Sequence, residues 1–200
     1  MNSVEPIRSR SEIDAVLSAF SGQLAARNRA LFLLGITSAL RISDLLALRW
    51  GSVLDIEDYN SGHGSMLIFR PSVEVRERKT GKRKIFPLGS TVAGALGEWR
   101  RVNRGEWIFS NASGGAPISR VQAWRVLSRA AARAGLKGIG THSLRKTWGY
   151  HARRNGVAIA LIMEALNHSS EGVTLRYLGF TGEEVRAAYD LVGGLLTDGL

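Results

Sequence analysis

The sequence predicts an α+β domain, mostly helical, with a small antiparallel sheet at one edge. Three observations carry this. Apolar residues recur at helical spacing before Gly51 and again after Ser119. Between residues 53 and 87 the pattern changes to short runs of β-branched and aromatic residues. The order is helices, strands, helices, without the strand–helix alternation that builds a wound parallel sheet.

Residues 1–8 read as a loose lead-in. Ser11-Glu12-Ile13-Asp14 begins a helix that carries Val16, Leu17 and Phe20 on one face. Gln23 to Leu40 reads as a second helix, apolar nearly all round at Ala30–Ile36, which places it in the core. Arg41 follows, and Ser43 is the natural N-cap of a short helix from Asp44 to Trp50. Strands are expected at Val53–Ile56, Met66–Phe69, Val73–Arg78 and Arg83–Pro87, with a loop at residues 60–64 and a tight turn at Thr80-Gly81. Val92–Arg101 reads as a helix, Trp107–Phe109 as a short extended piece, and Ser110–Pro117 as a loop. Helices then follow at Ser119–Ala134, Ser143–Arg154, Ala158–Leu166, Ser170–Leu178 and Thr181–Leu191, punctuated by Gly135, Gly138, Gly140 and Gly156.

Composition narrows the function classes. Two hundred residues, 44% of them hydrophobic, suit one domain with a sizeable core. The mean hydropathy is −0.03. No apolar run approaches the roughly 18–20 residues of a membrane span, and no charged-then-apolar leader opens the chain. There is no cysteine, which removes disulfides, thiolate catalysis and cysteine-based zinc sites, and suits a cytoplasmic protein. Lys and Arg number 27 against 17 acids, for a net charge of +10. That balance favours a polyanionic partner, most often nucleic acid. The basic residues are dispersed rather than gathered on one amphipathic helix, which argues against a membrane surface.

The residues with chemical potential are spread along the chain. His142 and Arg145, three apart on one helix face, point an imidazole and a guanidinium the same way. Alone they also read as a capping histidine and an exposed arginine. Arg41, between a buried helix and a short one, is either a positioned side chain or a surface arginine at a helix start. Asp44 could orient it or simply favour the helix N-terminus. Lys79 lies in Arg76-Glu77-Arg78-Lys79-Thr80-Gly81-Lys82-Arg83-Lys84. Such a run is usually a solvated hairpin, but a hairpin tip can also carry an ammonium to a DNA backbone, where it can protonate a departing alkoxide. His168 alone suits a structural role, and Tyr177 alone suits the core or an interface. Tyr59, Tyr150 and Tyr189 are rival phenols without comparable cationic company.

Together, Arg41, Lys79, His142-Ser143-Leu144-Arg145, His168-Ser169-Ser170 and Tyr177, nine residues after His168, resemble the tyrosine recombinase family of phage-type integrases. The likeness runs from about Ser11 to Phe180 and includes Leu40-Arg41-Ile42-Ser43-Asp44-Leu45-Leu46 and Lys79-Thr80-Gly81-Lys82. It implies a site-specific recombinase that cleaves and rejoins double-stranded DNA through a 3′-phosphotyrosyl intermediate, for integration, excision, inversion or resolution. In that scheme Arg41, Arg145 and His168 hold the scissile phosphate. Lys79 is the general acid for the 5′-hydroxyl, His142 assists by proton transfer or phosphate contact, and Tyr177 is the nucleophile. No metal and no cofactor is implied. The chemistry is coherent: forked guanidinium donors match phosphate oxygens and stabilise developing charge, and a covalent link conserves the phosphodiester for rejoining.

Lys82 and Arg83 on the hairpin, Arg120, Arg125 and Arg129 on the 119–134 helix, and Lys146 are the candidate DNA contacts. For the helical arginines an ordinary exposed face is the competing reading. The resemblance further implies a homotetramer on DNA, accessory DNA-bending proteins and association with the nucleoid. A C-terminal segment, about 181–200, either packs on its own domain or is exchanged between protomers. Many members carry an N-terminal DNA-clamping domain of roughly a hundred residues. Here a single catalytic domain over 1–200 is expected, without that arm, as in short fimbrial-type invertases or in a fragment. The sequence departs from the usual pattern at three places: Lys146 stands where many members have a second histidine, Asn167 replaces a glycine, and so does Ser38-Ala39.

Rival readings are a metal-dependent nuclease, a zinc protein, a non-catalytic DNA binder on the same fold, and a type IB topoisomerase. The acids are scattered rather than clustered around a metal position. The histidines are His63, His142, His151 and His168, with no His-x3-His pair. A binder has no need of Tyr177, whereas the topoisomerase shares the chemistry and differs in outcome.

Overall fold

The computed structural model describes residues 4–58 and 65–178, together with residues 186, 189 and 190. Helix α1 (Arg10–Ala19) starts one residue before Ser11 because Ser9 and Glu12 form a reciprocal capping box. The Glu12 amide donates to Ser9 Oγ at 3.1 Å, and the Ser9 amide donates to the Glu12 carboxylate at 3.0 Å. Helix α2 (Ala25–Ser38) stops short of Leu40 because Ala39 takes a left-handed conformation, φ 53°.

Helix α3 spans Ile42–Leu46, and a 3-10 turn follows at Trp50–Ser52. This corrects the expected helix at Asp44–Trp50. Arg41, not Ser43, occupies the N-cap position, where its carbonyl accepts from the amides of Asp44 and Leu45. Serine is the better intrinsic cap, but Arg41 is fixed by a partner in a distant turn, described below.

The strands are β1 (Leu54–Asp58), β2 (Ser65–Phe69), β3 (Ser72–Arg76) and β4 (Arg83–Pro87). They form two antiparallel pairs, β1–β2 from Leu54↔Phe69 to Asp58↔Ser65 and β3–β4 from Ser72↔Pro87 to Arg76↔Arg83. Alternation along β4 buries Lys84 and Phe86. Helix α4 (Ser90–Arg100) follows. The Trp107–Phe109 segment runs beside the α3 exit, where the Ile108 amide donates to Leu48 O at 3.1 Å.

Helix α5 (Arg120–Arg133) has its own capping box, Ser119 with Gln122. Helix α6 (Thr141–Arg154) begins two residues before Ser143, whose hydroxyl accepts from the Gly140 amide at 3.0 Å. Helices α7 (Ile159–Ala165) and α8 (Glu171–Leu178) complete the described chain. The loop at residues 60–64 and most of the expected helix Thr181–Leu191 lie outside the described residues.

Helix α2 is the axis of the core and packs on α3, α4, α5 and α6. Leu31, Phe32, Leu34, Leu96, Phe109, Leu127 and Leu144 are all essentially inaccessible. Burying such side chains is worth about 1.5–3 kcal/mol each in transfer terms. The approach of α6 to α2 depends on Gly35. A Cβ there would lie 2.4 Å from Leu144 Cδ1 and 3.2 Å from its Cβ. Leu144 adjoins Arg145, so this contact also sets where that guanidinium begins.

Gly35→Ala should therefore destabilise the fold, although alanine is the better helix former. Overpacking costs about 1–3 kcal/mol and the propensity gain is about 1 kcal/mol, for a net loss of up to about 2 kcal/mol. Denaturant unfolding measures it; an unchanged midpoint would show that Leu144 can turn aside.

Candidate active site

The chain leaves both α2 and α7 through left-handed residues, Ala39 at φ 53° and Asn167 at φ 47°. These are the two places where the sequence departs from glycine, and both take the backbone conformation glycine favours. The turns leave helix-end carbonyls without intrahelical donors. Two buried cations meet them. Arg145, on α6, donates through Nη1 to Ala39 O at 2.6 Å and through Nη2 to Leu166 O. Lys84, on β4, donates to Ala39 O and to Ala165 O, each at 2.8 Å. Burial, with the Arg145 charge next in weight, pulls the Lys84 ammonium down to about 7. Burial and Arg41 also lower the Arg145 pKa.

Arg41 lies beside this pair. Its Nη1 donates to Glu77 Oε2 at 2.5 Å, which spans from the α3 start to the β3–β4 turn. The same oxygen accepts from Thr80 Oγ1 at 2.9 Å. Glu77 is 1% exposed, and its other oxygen stands 3.7 Å from Arg145 Nη1 without a hydrogen bond of good geometry. Burial raises the carboxyl pKa, but hydrogen bonds from Thr80 and Arg41 and the Arg41 charge outweigh it, so the group sits below its ordinary value. Asp44 does not orient Arg41 by a hydrogen bond. Its Oδ1 accepts instead from the Arg78 amide at 3.0 Å, a second tie between α3 and the hairpin.

His168 and Tyr177 complete the cluster. The His168 Nδ1 is 3.0 Å from Thr174 Oγ1 on α8. Its ring meets the Tyr177 ring edge-on, with centroids 5.1 Å apart and planes at 77°. Burial, then Arg145 and Arg41, lower the His168 pKa to about 4, so the imidazole is neutral at pH 7. The Tyr177 hydroxyl is buried without a well-formed hydrogen bond. Burial pushes the phenol up to about 12, against the opposing pull of Arg145 and Arg41. Helix α8 can pack this tightly because Gly149 leaves room on α6; a Cβ there would stand 2.8 Å from Leu178 Cδ2. Tyr177 and Leu178 rest on a small second core of Ala39, Ile162 and Leu166.

The structure thus brings Arg41, Arg145, His168 and Tyr177 together. Lys79 is exposed on the β3–β4 turn. His142 is exposed at the α6 N-terminus beside a cleft lined by Trp124, Ser128 and Gly140. Lys146, expected at the DNA surface, is half-buried with its ammonium 5.6 Å from the Tyr177 ring centre. Arg120, Arg125 and Arg129 are exposed on α5, and Lys82 is exposed on the hairpin. Arg83 is exposed but forked onto Glu74 at 2.6 and 2.7 Å.

Glu77 and Lys84 were missed as site residues. The signal for Glu77 was its place as the lone acid in the basic run 76–84. For Lys84 it was strand alternation, which puts it on the same side as Phe86.

The sequence pattern of the phage integrase family matches residues 9–183. The chain is 40% identical over 196 residues to the probable integrase/recombinase YoeC of Bacillus subtilis, covering 98% of this chain and all of that protein. It is 31% identical over 196 residues to the tyrosine recombinase XerD of Mycobacterium tuberculosis, covering 88% of this chain but 58% of the relative. Among solved structures, XerA recombinase superposes with a TM-score of 0.71 at 21% identity, over 94% of this chain and 65% of that one. XerH bound to its difH substrate after cleavage gives a TM-score of 0.69 at 19% identity, over 96% and 54%. With the motif residues, the fold and the family pattern in agreement, the chain belongs to the phage integrase family and is a tyrosine recombinase catalytic domain.

Proposed function

We propose that this chain recombines DNA at specific sites through a covalent bond between Tyr177 and a 3′-phosphate. The observation that supports this most is the Tyr177 hydroxyl, buried without a well-formed hydrogen bond and close to Arg145 and Arg41. Arg41, Arg145 and His168 would take the non-bridging oxygens of the scissile phosphate. The Tyr177 oxygen attacks phosphorus and loses its proton, to His142 or to water. The bond from phosphorus to the 5′-oxygen breaks, and Lys79 gives that oxygen a proton. Rejoining is the reverse: the 5′-hydroxyl attacks, and the tyrosine leaves and is reprotonated. The number of phosphodiester bonds is conserved, so no external energy source enters.

Lys79 and His142 would be brought in by the substrate. Both occupy exposed positions, Lys79 two residues after the buried Glu77 and His142 immediately before the buried Ser143. Duplex DNA, a homotetramer on it, accessory DNA-bending proteins and exchange of the segment 181–200 between protomers belong to this reading, as does action on chromosomal DNA in the cytoplasm. The exposed arginines of α5 and Lys82 would face the duplex.

Tyr177→Phe should bind site-bearing DNA about as tightly as the unaltered protein while forming no covalent adduct on a nicked suicide duplex. Mass spectrometry of the adduct identifies the nucleophile, and an adduct from the variant would show that another residue attacks. The reaction should persist in excess EDTA. Supercoil relaxation without recombinant product would favour a topoisomerase instead.

DNA affinity should fall steeply with salt. Each phosphate contact contributes about −0.9 to the slope of log affinity against log salt. Arg125→Ala and Arg129→Ala should each flatten that slope by about this amount; equal slopes would place α5 away from the duplex.

Acid should destabilise the fold through His168. Its pKa is about 4 in the folded chain against about 6.5 when unfolded. Between these values the unfolded chain binds more protons, so stability falls as pH drops from about 6.5 towards 4. His168→Gln should flatten this stretch of the unfolding profile; an unchanged profile would assign the pH dependence to other groups.

A further inference from the structure

We infer that Glu77 is a positioning residue that locks the Lys79 hairpin onto the arginine pair, an inference that rests on the function proposed above. The turn carrying Lys79 is closed at its base by Glu77 itself. The Glu77 amide donates to Lys82 O at 2.9 Å, and the Gly81 amide donates to Glu77 O at 2.8 Å. The carboxylate then reaches out of the turn. One oxygen joins Thr80 on the hairpin to Arg41 on α3, and the other faces Arg145 on α6. Asp44 adds a bond from α3 to the Arg78 amide, one residue before Lys79. Both anchors lie on the N-terminal side of Lys79, so the lysine projects from a fixed base while its own side chain stays exposed.

A purely structural reading does not account for the arrangement. A buried carboxylate among arginines is a costly way to stabilise a fold, because desolvation offsets much of the attraction. One Glu77 oxygen makes no well-formed hydrogen bond and stands 3.7 Å from Arg145 Nη1, with the Asn167 side chain also beside the carboxylate. That oxygen can follow the guanidinium if it shifts onto a phosphate. The carboxylate would then set the distance between the group that holds the phosphate and the group that protonates its leaving oxygen.

The test compares two suicide duplexes, one with the natural 5′-oxygen at the scissile position and one with sulfur in its place. A thiolate leaves without a proton because thiols are far more acidic than alcohols, so only the oxygen substrate needs the general acid. General acids contribute about 10²–10⁴-fold. Glu77→Ala should slow adduct formation on the oxygen substrate at least about tenfold and recover most of that rate on the sulfur substrate, as Lys79→Ala should. Arg145→Ala should be slow on both. The isosteric Glu77→Gln should show the same selective recovery, and its DNA affinity and unfolding midpoint report whether it is folded.

Wild-type rates from both Glu77 variants would overturn the inference. So would equal slowing on the two substrates, or tighter DNA binding by Glu77→Gln, which would make Glu77 a competitor of the phosphate. Those results leave the proposed function standing, because the unaltered protein still forms adduct. An unaltered protein that forms no adduct on either duplex overturns that reading and this inference with it.

Discussion

The carbonyl oxygen of Ala39 accepts from both Arg145 and Lys84, and the rest of the site depends on that shared bond. The same two cations reach the end of α7, through Leu166 O and Ala165 O. One oxygen at the exit of α2 and two at the exit of α7 are thereby held by groups from α6 and β4. Hydrogen bonds from charged donors are worth about 1.5–3 kcal/mol each, more than neutral ones. The acceptors are also uncharged. A carboxylate in their place would neutralise Arg145, whereas carbonyls fix the guanidinium and leave its charge in place. The strain of a left-handed alanine, roughly 1–2 kcal/mol, is offset where its carbonyl gains two cationic donors.

That arrangement divides the site into a set half and an open half. Arg41 and Arg145 are anchored to helix ends and to Glu77, and Tyr177 and His168 are packed on the small core beneath them. Lys79 and His142 sit at exposed positions. The division has an electrostatic reason. Burial first, and then the charges of Arg145 and Arg41, depress the Lys84 pKa to about 7. Another buried cation would meet the same repulsion, so groups held outside until a polyanion arrives avoid that cost.

The parts of this organisation that were legible in the sequence are those governed by local rules. The strand positions followed from β-branched runs, and α5 was legible as a helix over Ser119–Ala134. Arg41 and Arg145 stood out through motif and spacing. The parts that were not legible are governed by tertiary contacts. Ser43 looked like the cap of α3 because serine is intrinsically preferred, yet Arg41 takes that place because Glu77 holds its side chain. Helix α2 was read through to Leu40 because nothing local marks Ala39 as left-handed. Glu77 and Lys84 read as surface charges because such residues are almost never fully buried unless paired. Their partners lie on other elements, beyond any local pattern. The same holds for Lys146, placed over the Tyr177 ring by the packing of α8 rather than by its own helix.

The state of Tyr177 ties packing to reactivity. A phenol near 12 is protonated at neutral pH and is a poor nucleophile. The causes of that value act in opposite directions: burial raises it, while Arg145 and Arg41 lower it, and burial prevails. The burial comes from α8 closing on α6 at Gly149 and on the small core at Ile162 and Leu166. The arginines do not belong to that packing, since they are held by Ala39 O, Leu166 O and Glu77. A shift of α8 that wets the hydroxyl removes the cause that raises the pKa, but Tyr177 moves with α8, so the lowering persists only while its oxygen stays near the arginines. A phosphate bound between the arginines works the other way, since its negative charge offsets theirs. Wetting and phosphate binding thus oppose each other in their effect on the phenol, and under the proposed function the reacting geometry would be one in which an arginine remains close to the tyrosine oxygen while also holding the phosphate.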